Sequence, residues 1–165
     1  ERDGAGRVER SSFFSSLVCF PKSSNTTMQA GVSVTDDCVT IFNELKLKHS
    51  HRYVIFRLSA DLTQVEIESQ GAAADKDWKE FQGKLPENDC RYAVYDFEYD
   101  TPDGVRNKIV FIFWSPETAK IKSKMVYAST KDELKRRFVG LGSDVQANDA
   151  SEVTYEAVLE RVQAV

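Results

Sequence analysis

The sequence predicts an α/β fold of the α+β kind: a single mixed, mostly antiparallel central sheet sandwiched by helices. Three observations lead there. The run Ile109-Val-Phe-Ile-Phe-Trp114 has no polar face, as expected of a strand covered by helices on both sides and placed in the middle of its sheet. Cys90 to Tyr99 and Val105 to Trp114 flank Thr101-Pro-Asp-Gly104, whose residues favour turns for different steric reasons, so the two segments read as an antiparallel hairpin. Several other segments carry apolar residues at helical spacing on either side of these strands.

The chain has 165 residues, 41% of them hydrophobic, enough for one core and too few for two. Residues 1–27 are rich in Ser, Arg and Gly and read as a flexible N-terminal leader or appended extension, leaving 28–165 as the folded domain with Met28 as its natural start. The apolar patch Phe13 to Phe20 is broken by serines and lacks a small-residue cleavage pattern, which argues against a secretory signal.

Thr35 with Asp36 and Asp37 supplies an N-cap and an acidic first turn for a helix over about 36–47, with Cys38, Ile41, Phe42 and Leu45 on its apolar face. Arg52 to Ser59 is apolar on both faces and reads as a central strand. Gln64 to Ser69 alternates Val65 and Ile67 with glutamates and reads as a more exposed partner, ended by Gly71 and the alanines. Trp78, Phe81 and Leu85 mark a short helix over Lys76 to Leu85, stopped by Pro86. The hairpin follows, then a long basic helix, a short edge strand over Asp144 to Gln146, and a last helix capped by Ser151 with Val153, Ala157, Val158 and Val162 inward.

A net charge of −4 argues against bulk attachment to nucleic acid or anionic lipid, so an anionic partner must be met by a local basic patch. No apolar run has the length of a membrane-spanning helix. Cys19, Cys38 and Cys90 are far apart and form no Cys-x-x-Cys pair, which fits structural thiols in a reducing compartment. His49 and His51 have no third ligand nearby, so no metal site is expected. There is no nucleophile elbow and no phosphate-cradling glycine loop, and Asp96 and Glu98 need only a solvent-facing strand. The sequence therefore predicts neither catalytic residues nor a cofactor.

The long helix offers a different chemistry. Tyr127, Leu134, Phe138 and Leu141 fall on one line while Lys124, Lys131 and Lys135 fall on a second, facing out. Periodicity alone fits both a binding ridge and an ordinary solvated face. Met125 beside Lys124, with Gly31-Val32 near the other end of the chain, matches an apolar anchor ringed by charge.

Gly31-Val-Ser-Val34, Phe42-Asn-Glu-Leu-Lys46, Leu85 to Tyr99, Arg106-Asn-Lys-Ile109 and above all Trp114 to Lys131 resemble the actin-depolymerising factor and cofilin family, in its small fungal or amoeboid form. The resemblance runs from Met28 to about Val162. It implies the actin-depolymerising-factor homology fold and a non-enzymatic monomer that binds monomeric and filamentous actin, and severs and depolymerises filaments by changing their twist. It places the protein in the cytoplasm at the actin cytoskeleton, with the nucleus as a further location. The contacts it implies for monomer and filament are Ala30, Gly31, Val32, Lys122, Lys124, Met125, Lys131, Lys135 and Arg136, with Ala30 to Val34 as a flexible segment. Arg106, Lys108, Glu160 and Arg161 correspond to a filament-specific surface, and Lys122, Lys124, Lys135 and Arg136 to phosphoinositide contacts that would compete with actin. A non-severing relative of the same fold and a phosphoinositide-binding adaptor are the alternatives.

Several positions depart from the family's pattern. Ala30 stands where a regulatory serine is usual, leaving only Ser33 nearby, and Ser143 stands where some animal members carry a titrating histidine. The basic cluster around Lys46 to Arg52 is interrupted by histidines, and Ala164 replaces a basic residue near the chain end.

Overall fold

A computed structural model describes residues 31–75 and 77–164. Residues 1–27, the Met28 boundary, Cys19 and Ala30 therefore lie outside the described residues. The chain order is β1 (Ser33–Val34), α1 (Asp36–Lys48), β2 (His51–Leu58), β3 (Gln64–Ala72), α2 (Trp78–Gly83), β4 (Arg91–Thr101), β5 (Gly104–Trp114), α3 (Ile121–Arg137), β6 (Ser143–Ala147) and α4 (Tyr155–Gln163). The strands form one sheet in the order β1-β3-β2-β4-β5-β6. The β1/β3 and β5/β6 pairs are parallel and the other three antiparallel, which is the mixed, mostly antiparallel sheet the sequence predicts.

Side chains alternate between the faces of each strand. Val54, Phe56, Tyr92, Val94, Phe111 and Phe113 join Cys38 and Phe42 of α1 and Tyr127 and Leu134 of α3 in one core. Tyr53, Ile55, Tyr95, Phe97, Val110 and Ile112 join Trp78 and Phe81 of α2 and Val158 and Val162 of α4 in the other. Helices α1 and α3 thus cover one face of the sheet, and α2 and α4 the other.

Three expectations change in detail. The apolar run in β5 is covered on both faces, yet β5 is one strand in from the β6 edge, and β2 and β4 hold the middle. Such a run reports two covered faces and carries no information on lateral position. The last helix begins later than Ser151: Thr154 is its N-cap, accepting from the Ala157 amide, while Ser151 belongs to a turn that donates to Asp149 Oδ1. Val153 precedes the helix, and its carbonyl takes the Trp78 indole at 2.7 Å and the Gln82 amide at 2.6 Å.

Strand β3 also runs on past Gly71 to Ala72. Gly71 is there because it faces Tyr53: an added Cβ would stand 2.2 Å from Tyr53 Cε1. At the other end of β3, Ser33 and Val34 pair with Gln64 and Val65, and Val34 is buried, so this half of the expected flexible segment is a short strand.

Candidate functional site

One end of the sheet gathers β1, which follows Gly31 and Val32, and the start of α3. Val34 pairs with Val65, Val65 with Leu58, and the Leu58 amide donates to the Tyr127 hydroxyl at 2.8 Å. Tyr92 in turn donates its hydroxyl to the Tyr127 carbonyl, so both polar ends of Tyr127 are fixed to the sheet. Burial raises the proton affinity of both phenols, and they stay neutral donors and acceptors well above neutral pH. Farther along α3, Phe138 stacks on Phe42 with ring centroids 4.5 Å apart, which seats the C-terminal end of the helix against α1.

The first turn of α3 runs against ordinary helix chemistry. A helix N-terminus carries partial positive charge and unsatisfied amides, so acidic residues and a capping side chain are favoured there. Helix α1 meets the first condition, with Asp36 and Asp37 in its first turn, although its N-cap residue Thr35 turns its hydroxyl to Cys38 Sγ and the Val65 carbonyl and makes no side-chain cap. Helix α3 has neither an acidic first turn nor a side-chain cap, and begins Lys120-Ile-Lys-Ser-Lys124. Lysines at this end oppose the macrodipole by roughly 0.3–1 kcal/mol each. Side chains that break a local rule without compensation inside the fold mark a surface shaped for something outside it.

The same turn exposes apolar side chains. Ile121 is 77% and Met125 68% exposed, four residues apart on one side of the helix, with Lys122 exposed between them. The sequence singled out Met125 and missed Ile121; the four-residue spacing was its only signal. Lys124 is half-buried, and its ammonium donates to the Glu117 carbonyl at 3.0 Å. Gly31 is exposed with φ +78°, and Val32 is partly buried against the core that α1 and α3 cover.

The expected outward line of Lys124, Lys131 and Lys135 does not survive as one ridge. Asp144 Oδ2 takes Lys135 at 2.6 Å and Lys131 at 3.4 Å, and the Lys131 side chain is only 18% exposed, its ammonium 5.7 Å above the Phe113 ring. Helical spacing places the lysines on one side but says nothing of β6, which brings a carboxylate against that side. Arg136 is exposed and 3.7 Å from Glu133. Among the described residues of α3, the exposed cation without a carboxylate partner is therefore at its N-terminal end, at Lys122, with Arg136 separate at the far end.

The filament-specific candidates meet at the other end of the sheet. Arg106 is exposed near the hairpin turn, 3.5 Å from Asp103, and Lys108 reaches across to donate to the Val162 carbonyl at 2.8 Å. That bond brings the hairpin beside α4, where Glu160 and Arg161 are exposed. The two groups of candidate residues thus lie at opposite ends of the sheet.

His49 is bound at 2.7 Å to Asp96, which also accepts from Asn107, and Asp96 is buried, unlike the solvent-facing side chain expected. No group of three or more His, Cys, Asp or Glu residues among those described is placed to hold a metal ion. No helix among the described residues is long and apolar enough to cross a membrane.

Residues 31–163 match the family described as Cofilin/tropomyosin-type actin-binding protein. The chain is 55% identical over 133 residues to cofilin of Schizosaccharomyces pombe, a match spanning 81% of this chain and 96% of that one. It is 50% identical over 134 residues to actophorin of Acanthamoeba castellanii, with the same coverage, 81% and 96%. The crystal structure of a Streptomyces griseoflavus cofilin superimposes with a TM-score of 0.77 at 41% identity, covering 81% of this chain and 98% of the other.

Proposed function

This chain belongs to the cofilin/tropomyosin-type actin-binding protein family, and from that premise we propose that it binds actin monomers and filaments and depolymerises and severs filaments. It works without bond chemistry, at the actin cytoskeleton of the cytoplasm. The observation that carries the binding surface is the inverted first turn of α3: uncapped, cationic, and flanked by exposed Ile121 and Met125. An acidic protein surface there supplies the negative charge that the helix terminus lacks, while the two apolar side chains anchor the contact.

Lys122, Met125 and Gly31 with Val32 form the primary contact with monomer and filament, and Lys124 borders it. Ala30, adjoining Gly31, extends this contact. Lys131 and Lys135 add to it only as far as they leave Asp144, and Arg136 acts at its margin. Arg106, Glu160 and Arg161 meet the neighbouring subunit in the filament, and Lys108 chiefly holds the hairpin to α4. Gripping two subunits at once favours the filament twist that presents both sites together, and it shifts the polymer by the difference in affinity between the two twists. Strain then concentrates where decorated and bare stretches meet, and the filament breaks there. Phosphoinositide headgroups compete for Lys122 and Lys124 more than for Lys135, whose charge is shared with Asp144.

The test is sedimentation with actin filaments combined with imaging of filament length. Binding with shortened filaments supports the proposal. Binding with unchanged lengths assigns the chain to a non-severing role, and lipid binding without sedimentation assigns it to an adaptor role.

A further inference from the structure

The hairpin of β4 and β5 outruns the sheet that carries it. Strand β2 pairs with β4 only from Tyr92 to Tyr95, and β6 pairs with β5 only from Val110 to Trp114. From Asp96 to Ile109 the hairpin is therefore a two-stranded arm, with no third strand beside it among the described residues. Two strands alone are marginally stable and twist more than a wider sheet, so the direction of the arm depends on what holds it near its base.

The two faces of the arm are held differently. On one face Phe97 and Tyr99 are buried in the core that α2 and α4 cover, and Lys108 donates to the Val162 carbonyl at 2.8 Å. Side chains alternate along a strand, so Asn107 points to the opposite face from Arg106 and Lys108. There its amide donates to Asp96 Oδ1 at 3.3 Å, and Asp96 Oδ2 lies 2.7 Å from His49 Nδ1. A carboxylate can only accept, so Nδ1 is the donor. Arg52 steadies the same point, donating to the Asp96 carbonyl at 3.2 Å and to Glu98 Oε2 at 3.4 Å. His49 is itself fixed: it closes α1 in the left-handed region at φ 49°, and its backbone amide donates to the Leu45 carbonyl at 3.2 Å. One buried carboxylate thus ties the end of α1 to Asn107, the residue between Arg106 and Lys108. We infer that His49 is a positioning residue for filament binding: through Asp96 and Asn107 it sets the angle at which the arm presents Arg106. This assignment rests on the proposed filament-facing role of the hairpin, and no residue of the bridge belongs to the proposed monomer contact.

The test compares the full wild-type chain with His49→Gly, His49→Asn and Asn107→Ala. Glycine keeps the left-handed backbone and removes the ring. Asparagine tolerates the same backbone, and its amide stands where Nδ1 stands, which restores a donor to Asp96. The readouts are binding to monomeric and to filamentous actin, and NMR relaxation of the arm amides from Glu98 to Arg106 in the free protein. His49→Gly and Asn107→Ala should bind filaments about fivefold more weakly with monomer affinity unchanged, and their arm amides should show lower order parameters. His49→Asn should recover most of both. Wild-type filament affinity in His49→Gly, an equal loss of monomer binding, unchanged order parameters in the arm, or no recovery in His49→Asn would each overturn the inference. Arg106→Glu separates the positioning role from the surface it serves. Wild-type filament affinity in Arg106→Glu would remove the hairpin from the filament contact, whereas a loss there beside wild-type binding by His49→Gly would remove the positioning role alone.

Discussion

The Lys135 ammonium lies 2.6 Å from Asp144 Oδ2, and Lys131 shares that oxygen from 3.4 Å. One carboxylate on β6 therefore restrains two cations of α3. Replacing it by Asp144→Asn leaves the backbone of β6 in place and releases both lysines. If these lysines reach actin, the variant should bind filaments about threefold more tightly at low salt, with the gain fading as salt rises. Weaker binding would mean that Asp144 holds the lysines in their working geometry. Sedimentation at two ionic strengths decides.

Tyr127 joins α3 to the sheet through its hydroxyl. Tyr127→Phe keeps the ring but leaves the Leu58 amide without its partner in a buried setting. A loss of about 1–3 kcal/mol is expected. Urea denaturation measures it, and an unchanged midpoint would show that the hydroxyl contributes nothing.

Gly71 and Tyr53 occupy opposed positions on β3 and β2, and the ring fills the space a side chain at Gly71 would need. Gly71→Ala should cost about 1–3 kcal/mol through displacement of a fully buried tyrosine. A double variant, Gly71→Ala with Tyr53→Leu, should recover part of that loss, and thermal unfolding of the pair checks the coupling.

The stability of this fold should fall at alkaline pH. Burial pushes the Tyr95 phenol up to about 12, and raises Tyr92, Tyr127 and the Cys38 and Cys90 thiols above their ordinary values. Folded-state values above the unfolded ones mean that the native state binds these protons more tightly. The contribution is whole below the unfolded values, about 8.5 for Cys and about 10 for Tyr, and is lost as pH climbs toward the folded values. Unfolding midpoints should hold steady near neutrality and drop above about pH 9. Brief alkylation of the native chain at neutral pH should also spare Cys38 and Cys90, as mass spectrometry would show.

Local patterns fixed most of the architecture. The acidic start of α1, the Pro-Asp-Gly hairpin turn and the Trp78-Phe81 spacing each place an element within a few residues of where it lies. Strand order was less legible, because β5 looks the same from its own residues whether it is central or next to an edge. Ser151 misled as a cap because Asp149 captures it in a turn while Trp78 and Gln82 hold the Val153 carbonyl. At the candidate site, the basic character of α3 was plain in the sequence. Which lysines remain free depends on Asp144, on an element whose position the helix's own residues do not encode.

The role of α3 is tested most directly at Lys122 and Met125, both exposed and neither hydrogen-bonded or ion-paired among the described residues, which makes them better targets than the tethered Lys124. The measurement is binding of Lys122→Glu/Met125→Ala to monomeric and filamentous actin, beside Arg106→Glu. The first variant should lose both activities at an unchanged unfolding midpoint, while Arg106→Glu should retain monomer binding and lose filament binding. Wild-type affinity of the Lys122→Glu/Met125→Ala variant for both forms of actin would contradict the assignment.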